Sequence, residues 1–167
     1  MDYKAFLQSA AKVVPSTRQL QWYDMQFYAF VHFTVNTYTD LEWGLGDEPE
    51  SIFNPTELDC EQWIKTIKEA GAKYAVFTAK HHDGFANWPS AYTEYSVKNT
   101  PWKDGKGDVV REFTDACREY GLKVGLYYSP AQFGSKLTTP KEYDDYFINQ
   151  ISELLTEYGK IDYLWFD

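Results

Sequence analysis

The sequence predicts an α/β fold built on a parallel sheet, and three features of its pattern lead to that prediction. Four strand-like segments are mostly apolar and rich in aromatic and β-branched residues, as in strands that are covered on both faces. Segments with helical periodicity separate them. The connections from helix to strand are short, whereas the loops from strand to helix are long. The predicted order is β-α-β-α-β-α-β.

The first predicted strand differs from the others because it carries a histidine in an apolar stretch, where His32 lies between Val31 and Phe33. A hydrogen-bonded core histidine is one explanation of this position, and a functional side chain near a strand end is the other. The four predicted strands cover residues 28–35, 73–79, 122–129 and 161–167.

The predicted helices begin at capping residues and end at glycines. A side-chain acceptor before an apolar stripe is typical of a helix start, and glycine after the stripe is typical of a helix stop. Proline at the first helical position strengthens the third start. The predicted starts and stops are Asp59 and Gly71, Asp108 and Gly121, and Thr139 and Gly159.

The choice among α/β folds depends on the segment after the first strand. A doubly wound nucleotide-binding sheet needs a glycine-rich turn there, but residues 36–46 are too bulky for one. A (β/α)8 barrel repeats the observed unit eight times over about 250 residues. We therefore expect the first four βα units of a (β/α)8 (TIM-like) barrel, truncated after strand 4. Residues 1–27 would form leading helices interrupted at Pro15, and residues 28–167 would run from β1 to β4.

The composition excludes several classes of protein. Of 167 residues, 44% are hydrophobic and 25% are charged, which is ordinary for a globular domain and not for a disordered chain. A net charge of -9 disfavours nucleic-acid binding, and no apolar run approaches the roughly 20 residues that span a membrane. The N-terminus lacks a signal-peptide layout, which favours a cytoplasmic location, although a trimmed secreted or periplasmic chain would look the same. The sequence specifies no oligomeric state. Cys60 and Cys117 are predicted to be buried free thiols.

Polar residues gather where the predicted strands end, which is the face where parallel α/β folds build their sites. Two interpretations of this set are open. His32, His81, His82 and Asp167 form a possible metal site. Alternatively, imidazole, indole and carboxylate groups beside aromatic faces suit a carbohydrate, and aromatic residues make up 19% of the chain. The candidates are His32, Glu42, Trp43, His81, His82, Trp88, Tyr127 and Asp167.

Five motifs recur in an order that is specific to one family. They are residues 32–37, Glu42-Trp43-Gly44, the Lys-His-His-Asp-Gly-Phe run at 80–85, Trp88-Pro89-Ser90 and Trp165-Phe166-Asp167. Together they resemble the α-L-fucosidases of glycoside hydrolase family 29, over nearly everything from about residue 22 to the end. A further stretch, with Asn54-Pro55, Leu58-Asp59 and residues 96–102, resembles the branch that acts on α-1,3/1,4-linked fucose in branched glycans.

The resemblance implies a retaining glycosidase on a (β/α)8-like barrel that acts on a fucosylated oligosaccharide or glycan without a cofactor or metal. The aspartate that ends strand four, Asp167, takes the role of nucleophile. The fucose-binding positions fall on His32, Glu42, Trp43, His81, His82 and Tyr127, and Trp88 is expected to line the same pocket.

In the family resembled, the second carboxyl, which acts as acid and base, lies well beyond strand four. Residues 1–167 would then be the N-terminal half of a glycosidase catalytic barrel, inactive alone. A non-catalytic sugar-binding remnant and a metal-dependent barrel hydrolase remain the alternatives. Two departures from the family pattern bear on the pocket: Thr34 stands where glycine often follows His-Phe, and Ala131-Gln132 replaces an expected Trp-Asp.

Overall fold

The computed structural model describes residues 2–134 and 139–167, which contain four strands and five α-helices. Short 3-10 helices lie in the long loops after β1 and β2. The strands are β1 (Tyr28–Val31), β2 (Tyr74–Lys80), β3 (Lys123–Tyr128) and β4 (Tyr163–Phe166). The helices are α1 (Tyr3–Ala10), α2 (Thr17–Tyr23), α3 (Cys60–Glu69), α4 (Val109–Glu119) and α5 (Pro140–Glu157).

The four strands form one sheet in the order β1-β2-β3-β4, and every pairing is parallel. Each strand thus lies beside the strand that follows it along the chain. The prediction of an α/β fold with a parallel sheet is confirmed. The carboxyl ends of all four strands meet at one edge of the sheet.

The first strand is shorter than predicted. It ends at Val31, which pairs with Phe77, and His32 follows it instead of lying within it. The His32 ring nitrogen Nδ1 lies 2.9 Å from the Thr78 hydroxyl, so a side-chain contact replaces the next step of strand pairing. A 3-10 helix then begins at Val35.

The predicted helix starts and stops are confirmed. Asp59 and Asp108 each accept a hydrogen bond from the backbone N–H three residues on, at 2.9 and 2.8 Å. Thr139 forms both halves of a capping box with Glu142. At the start of α3 only the Asp59 half forms, because the Gln62 side chain donates to Thr66 instead. Gly71, Gly121 and Gly159 all have positive φ, as the stop requires.

The leading segment forms two helices on either side of Pro15, as predicted. Ser16 caps α2 through a capping box with Gln19. Unlike α3, α4 and α5, neither of these helices contains a buried residue. Exposed aromatic rings on them include Tyr3, Phe6 and Trp22.

The core covers both faces of the central strands, which explains why their sequences do not alternate. On one face Phe77 of β2 stacks on Phe113 of α4 at 5.1 Å between ring centroids. On the other face Val76 packs with Tyr127 and Met25 in a separate cluster. Cys60 and Cys117 are buried and free, as expected. Within the described residues, no helix is both long enough and apolar enough to cross a bilayer.

Candidate active site

A cleft of about 750 Å³ opens at the carboxyl ends of the strands. This volume lies in the range that holds a small ligand. The cleft collects side chains from β1 and its loop, from the end of β2, from β3 and from β4. Of the predicted site residues, those that line it are His32, Glu42, Trp43, His81, His82, Tyr127 and Asp167.

The three histidines of the chain lie together in this cleft. The rings of His32 and His81 meet edge to face at 4.5 Å, and the rings of His81 and His82 lie 4.3 Å apart. Burial and the neighbouring His82 lower the pKa of His32, and burial together with both neighbouring histidines lowers the pKa of His81 to about 4. At neutral pH, His32 and His81 are therefore uncharged and each offers one donor and one acceptor nitrogen.

Two of the histidines are oriented by hydroxyl groups on neighbouring strands. The Nδ1 atom of His32 lies 2.9 Å from the Thr78 hydroxyl. The Nδ1 atom of His82 lies 2.6 Å from the Ser129 hydroxyl, which in turn donates to the carbonyl of Ala131 at 2.9 Å. Because these bonds use Nδ1, Nε2 is the ring nitrogen left for the cleft in both residues.

Asp167 follows β4 directly, and the described contacts hold its carboxylate from two sides. The Tyr127 hydroxyl donates to Asp167 Oδ2 at 2.7 Å, and His82 Nε2 lies 3.3 Å from the same oxygen. The Asp167 side chain is 52% exposed, so it faces the open cleft. Burial and the Asp167 carboxylate raise the pKa of Tyr127, which keeps the phenol protonated as a donor.

The loop between β1 and α3 brings Glu42 and Trp43 over the cleft. The Trp43 side chain is 56% exposed, and its ring lies edge-on to His82 at 5.9 Å between centroids. Glu48 anchors this loop by accepting from the N–H groups of Leu45 and Gly46 at 2.6 and 2.9 Å. An exposed indole beside imidazoles and a carboxylate suits the mixed polar and apolar faces of a sugar.

The prediction that Trp88 lines the pocket is wrong. Trp88 is 1% exposed and is not among the residues that line the cleft. Its indole N–H donates to Glu153 Oε2 of α5 at 3.0 Å, and the Ser90 hydroxyl and the Ala91 N–H donate to the same carboxylate. The indole therefore fastens the loop after β2 to α5, because a buried N–H needs an acceptor and α5 supplies one.

Two aromatic residues of the cleft were not predicted. Phe30 of β1 and Trp165 of β4 both line it, and their rings meet edge to face at 5.3 Å. Each lies two residues before a predicted site residue, His32 and Asp167, and side chains two apart on a strand share a face. That spacing is the signal that would have identified them. Asn36, Thr37, Asp40 and Leu41 also line the cleft.

The two departures from the family pattern lie outside the cleft lining. Thr34 is fully buried, so it does not limit the approach of a ligand. Gln132 accepts a hydrogen bond at 3.0 Å from Lys80, a buried lysine at the end of β2. Burial lowers the pKa of Lys80 to about 7, while Asp83 opposes this shift.

The alternative of a metal site finds no support in the arrangement of these groups. Across residues 2–134 and 139–167, no group of three or more His, Cys, Asp and Glu side chains is placed to hold a metal ion. The described contacts of His32 and His82 instead join their rings to hydroxyl groups and to Asp167.

Comparison with known proteins identifies the family. The sequence profile described as Alpha-L-fucosidase matches residues 7–167. The chain belongs to the α-L-fucosidase family. It is 46% identical over 159 residues to Alpha-L-fucosidase 1 of Arabidopsis thaliana, a match that covers 92% of this chain and 31% of that protein.

Solved structures of the α-L-fucosidase family share the fold of this chain. A glycoside hydrolase 29 family member from an unknown rumen bacterium superposes with a TM-score of 0.89 at 58% identity, covering 92% of this chain and 28% of its own. A bacterial fucosidase solved with a monovalent iminocyclitol inhibitor has a TM-score of 0.79 at 28% identity, covering 92% of this chain and 42% of its own. The chain thus spans about a third of the length of the curated relative and of the rumen protein.

Proposed function

We propose that this chain supplies the sugar-binding face and the nucleophile of a retaining glycosidase that releases terminal α-L-fucose from glycans. The observation that supports the proposal most directly is the placement of Asp167. Its carboxylate ends β4, is half-exposed to the cleft, and contacts Tyr127 and His82 through Oδ2. Membership of the α-L-fucosidase family gives the substrate class.

In the proposed reaction Asp167 attacks the anomeric carbon and forms a covalent glycosyl-enzyme, which water then hydrolyses. The described contacts of its carboxylate engage Oδ2, so we assign the attack to Oδ1. The Tyr127 hydroxyl, a neutral donor, fixes the carboxylate without protonating it. A retaining mechanism also needs a second carboxyl about 5–5.5 Å away, which we propose lies outside residues 1–167.

The proposed binding of fucose divides between polar and aromatic groups. His32, His81 and Glu42 would bind sugar hydroxyls, because uncharged imidazoles and a carboxylate offer fixed donors and acceptors. Phe30 and Trp165 would pack against the apolar C–H face of the sugar. Trp43 would cover it from the solvent side.

We propose that the four strands are the first half of a (β/α)8 barrel. The sheet order runs β1-β2-β3-β4 without reversal, as in a barrel, whereas a doubly wound sheet reverses its order at a switch point. The polypeptide of residues 1–167 is accordingly expected to show no turnover of an aryl α-L-fucoside by itself. Measurable hydrolysis by that polypeptide would contradict this part of the proposal.

We also propose that the enzyme prefers α-1,3/1,4-linked fucose in branched glycans. The support is the resemblance of Asn54-Pro55, Leu58-Asp59 and residues 96–102 to the branch that has this preference. Competing hydrolysis of a branched α-1,3/1,4-fucosylated trisaccharide and a linear α-1,2-fucoside by the intact enzyme tests the preference. Faster hydrolysis of the α-1,2-fucoside would refute it.

The assignment of Asp167 is tested by substitution in the intact enzyme. Asp167→Ala should abolish hydrolysis of an aryl fucoside, and external azide should restore part of the turnover because it replaces the missing nucleophile. Asp162→Asn is the matched control, since Asp162 lies just before β4 at the opposite end of the strand and accepts from the Val124 N–H. Near-normal activity of Asp167→Ala would refute the role.

A further inference from the structure

Asp83 is a fully buried carboxylate that the proposed reaction does not use. It lies three residues after the end of β2 and is 1% exposed. Its Oδ1 atom accepts from the backbone N–H of Phe85 at 2.6 Å, which closes a tight turn. It is not one of the residues that line the cleft. Its other oxygen, Oδ2, faces two groups that belong to the cleft.

The first of these groups is Asn36, on the loop after β1. With its amide oriented to satisfy its neighbours, Asn36 donates to Asp83 Oδ2 at 2.7 Å and accepts from the Gly44 N–H at 2.7 Å. Gly44 directly follows Glu42 and Trp43. Asp83 is therefore joined through one amide to the backbone that carries two proposed fucose-binding residues.

Side chains pack closely around Gly44 and leave no space for a Cβ atom. A Cβ atom there would lie 2.8 Å from Asp83 Cβ, 2.7 Å from the terminal amide of Asn36 and 2.6 Å from Glu48 Oε1. All three distances are shorter than ordinary van der Waals contacts, so only glycine fits this position. The loop after β1 is pressed directly against Asp83.

The second group is His81, whose Nδ1 atom lies 3.8 Å from Asp83 Oδ2. This nitrogen is buried, and no hydrogen-bond partner for it is found among the described residues. His32 and His82 differ, because each has a hydroxyl group within 2.9 Å of its Nδ1. Asp83 is thus the acceptor towards which the His81 Nδ1 faces.

We propose that Asp83 is a positioning residue that fixes His81 as the Nδ1–H tautomer and holds the Glu42–Trp43 loop through Asn36, so that one buried carboxylate aligns two walls of the cleft. The proposal rests on the proposed function. An Nδ1–H directed at Asp83 leaves the Nε2 lone pair of His81 to accept a hydrogen bond from a sugar hydroxyl. Contacts of this kind are often long before substrate binds and shorten in the complex.

The Asp83→Asn variant tests the tautomer of His81, because the hydrogen bond to Phe85 determines which atom of the new amide faces His81. The side-chain carbonyl of the new amide would keep the hydrogen bond from the Phe85 N–H, so the amide NH₂ would replace Oδ2 opposite His81. A donor at that place reverses the tautomer, and Nε2 then presents an N–H to the cleft. We expect the ¹⁵N-histidine NMR spectrum of the intact protein to show His81, assigned by its loss in His81→Gln, as Nδ1–H in the wild type and Nε2–H in Asp83→Asn.

Kinetics with an aryl α-L-fucoside test the consequence for binding. Asp83→Asn should lower kcat/KM about 10- to 100-fold, mainly through KM, because it removes contacts made to the bound sugar in both ground and transition states. Asn36→Ala should also raise KM but leave the His81 tautomer unchanged, since it removes the amide that joins Asp83 to Gly44 while the Asp83 carboxylate stays opposite His81. Asp108→Asn is the matched control, a half-buried aspartate that caps α4, and should alter neither readout.

Two results would overturn the proposal: a wild-type His81 protonated on Nε2, or an Asp83→Asn protein with unchanged His81 resonances and unchanged KM. Failure of the proposed function is a separate observation, namely a wild-type enzyme that does not hydrolyse fucosides. In that case the NMR spectra still report the tautomer, because they require no turnover.

Discussion

The chain uses the same pair of residue types, tryptophan and glutamate, in two regions with opposite results. In the cleft, Trp43 is 56% exposed and Glu42 is exposed beside it. Between the loop after β2 and α5, Trp88 is 1% exposed and Glu153 is 8% exposed, and the Trp88 indole N–H donates to the Glu153 carboxylate. The buried Trp88–Glu153 pair, which is hydrogen-bonded, stabilises the fold. The exposed Trp43 and Glu42 side chains are available to bind a ligand.

Removing Glu153 should give the largest effect on stability. Glu153→Ala leaves the N–H of Trp88, the hydroxyl of Ser90 and the N–H of Ala91 without their acceptor, at a cost of about 3 kcal/mol or more. Urea unfolding of the intact protein measures the loss. KM for an aryl fucoside should stay unchanged in the folded fraction, and Glu153→Gln should lose less. A raised KM with unchanged stability would show that Glu153 takes part in substrate binding, and would contradict the structural role given to the Trp88–Glu153 pair.

Removing the exposed indole of Trp43 should change substrate binding and leave stability almost unchanged. Trp43→Ala should raise KM about 10- to 30-fold, because the sugar loses an aromatic face, while the free energy of unfolding changes by less than about 0.5 kcal/mol. Trp88→Phe is the matched control and should lower stability without changing KM, since it deprives Glu153 of a donor. Steady-state kinetics and urea unfolding separate the two, and equal KM effects for both variants would contradict the distinction.

The smallest expected effect concerns Asp83, the buried carboxylate that contacts the cleft loop through Asn36. Burial raises the pKa of Asp83 to about 6 from 3.8, with Glu48 adding to the shift and the Phe85 N–H and Lys80 opposing it. A carboxyl whose pKa is higher in the folded state stabilises the fold most when protonated, and this contribution is lost as pH rises through about 6. The stability of Asp83→Asn relative to the wild type should therefore increase by about 1 kcal/mol from pH 5 to pH 8.

Urea unfolding at several pH values measures this difference. Removing the Asp83 charge also lowers the pKa of Lys80 further. This change destabilises Asp83→Asn mainly at low pH, where Lys80 is protonated, so it too makes the relative stability of the variant increase with pH. A relative stability that is flat or falls with pH would show that Asp83 is not buried as a charged group at neutral pH.

Much of the fold followed from local chemistry in the sequence. Helix starts could be predicted because a side-chain acceptor before an apolar stripe binds the free backbone N–H three residues on, as at Asp59, Asp108 and Thr139. Helix ends could be predicted because a positive φ favours glycine, as at Gly121 and Gly159. The early end of β1 could not be predicted, because it depends on the contact of His32 with Thr78 on the neighbouring strand.

The sequence could predict those cleft residues whose location follows directly from their position at the end of a strand. His81, His82 and Asp167 follow strand ends directly, so the parallel sheet brings them together. Trp88 could not be placed this way. It lies in a long loop, and its burial depends on Glu153, which is distant in the sequence and lies on α5. Tertiary partners of this kind leave no local signal.

The central claim is that Asp167 is the nucleophile, and trapping the glycosyl-enzyme tests it most directly. A fluorinated fucosyl fluoride that reacts quickly and hydrolyses slowly should label the intact enzyme once per active site. Peptide mass spectrometry is expected to locate the label on Asp167, and Asp167→Ala should remain unlabelled. A label on Asp40 or Glu42, the other carboxylates that line the cleft, would contradict the account.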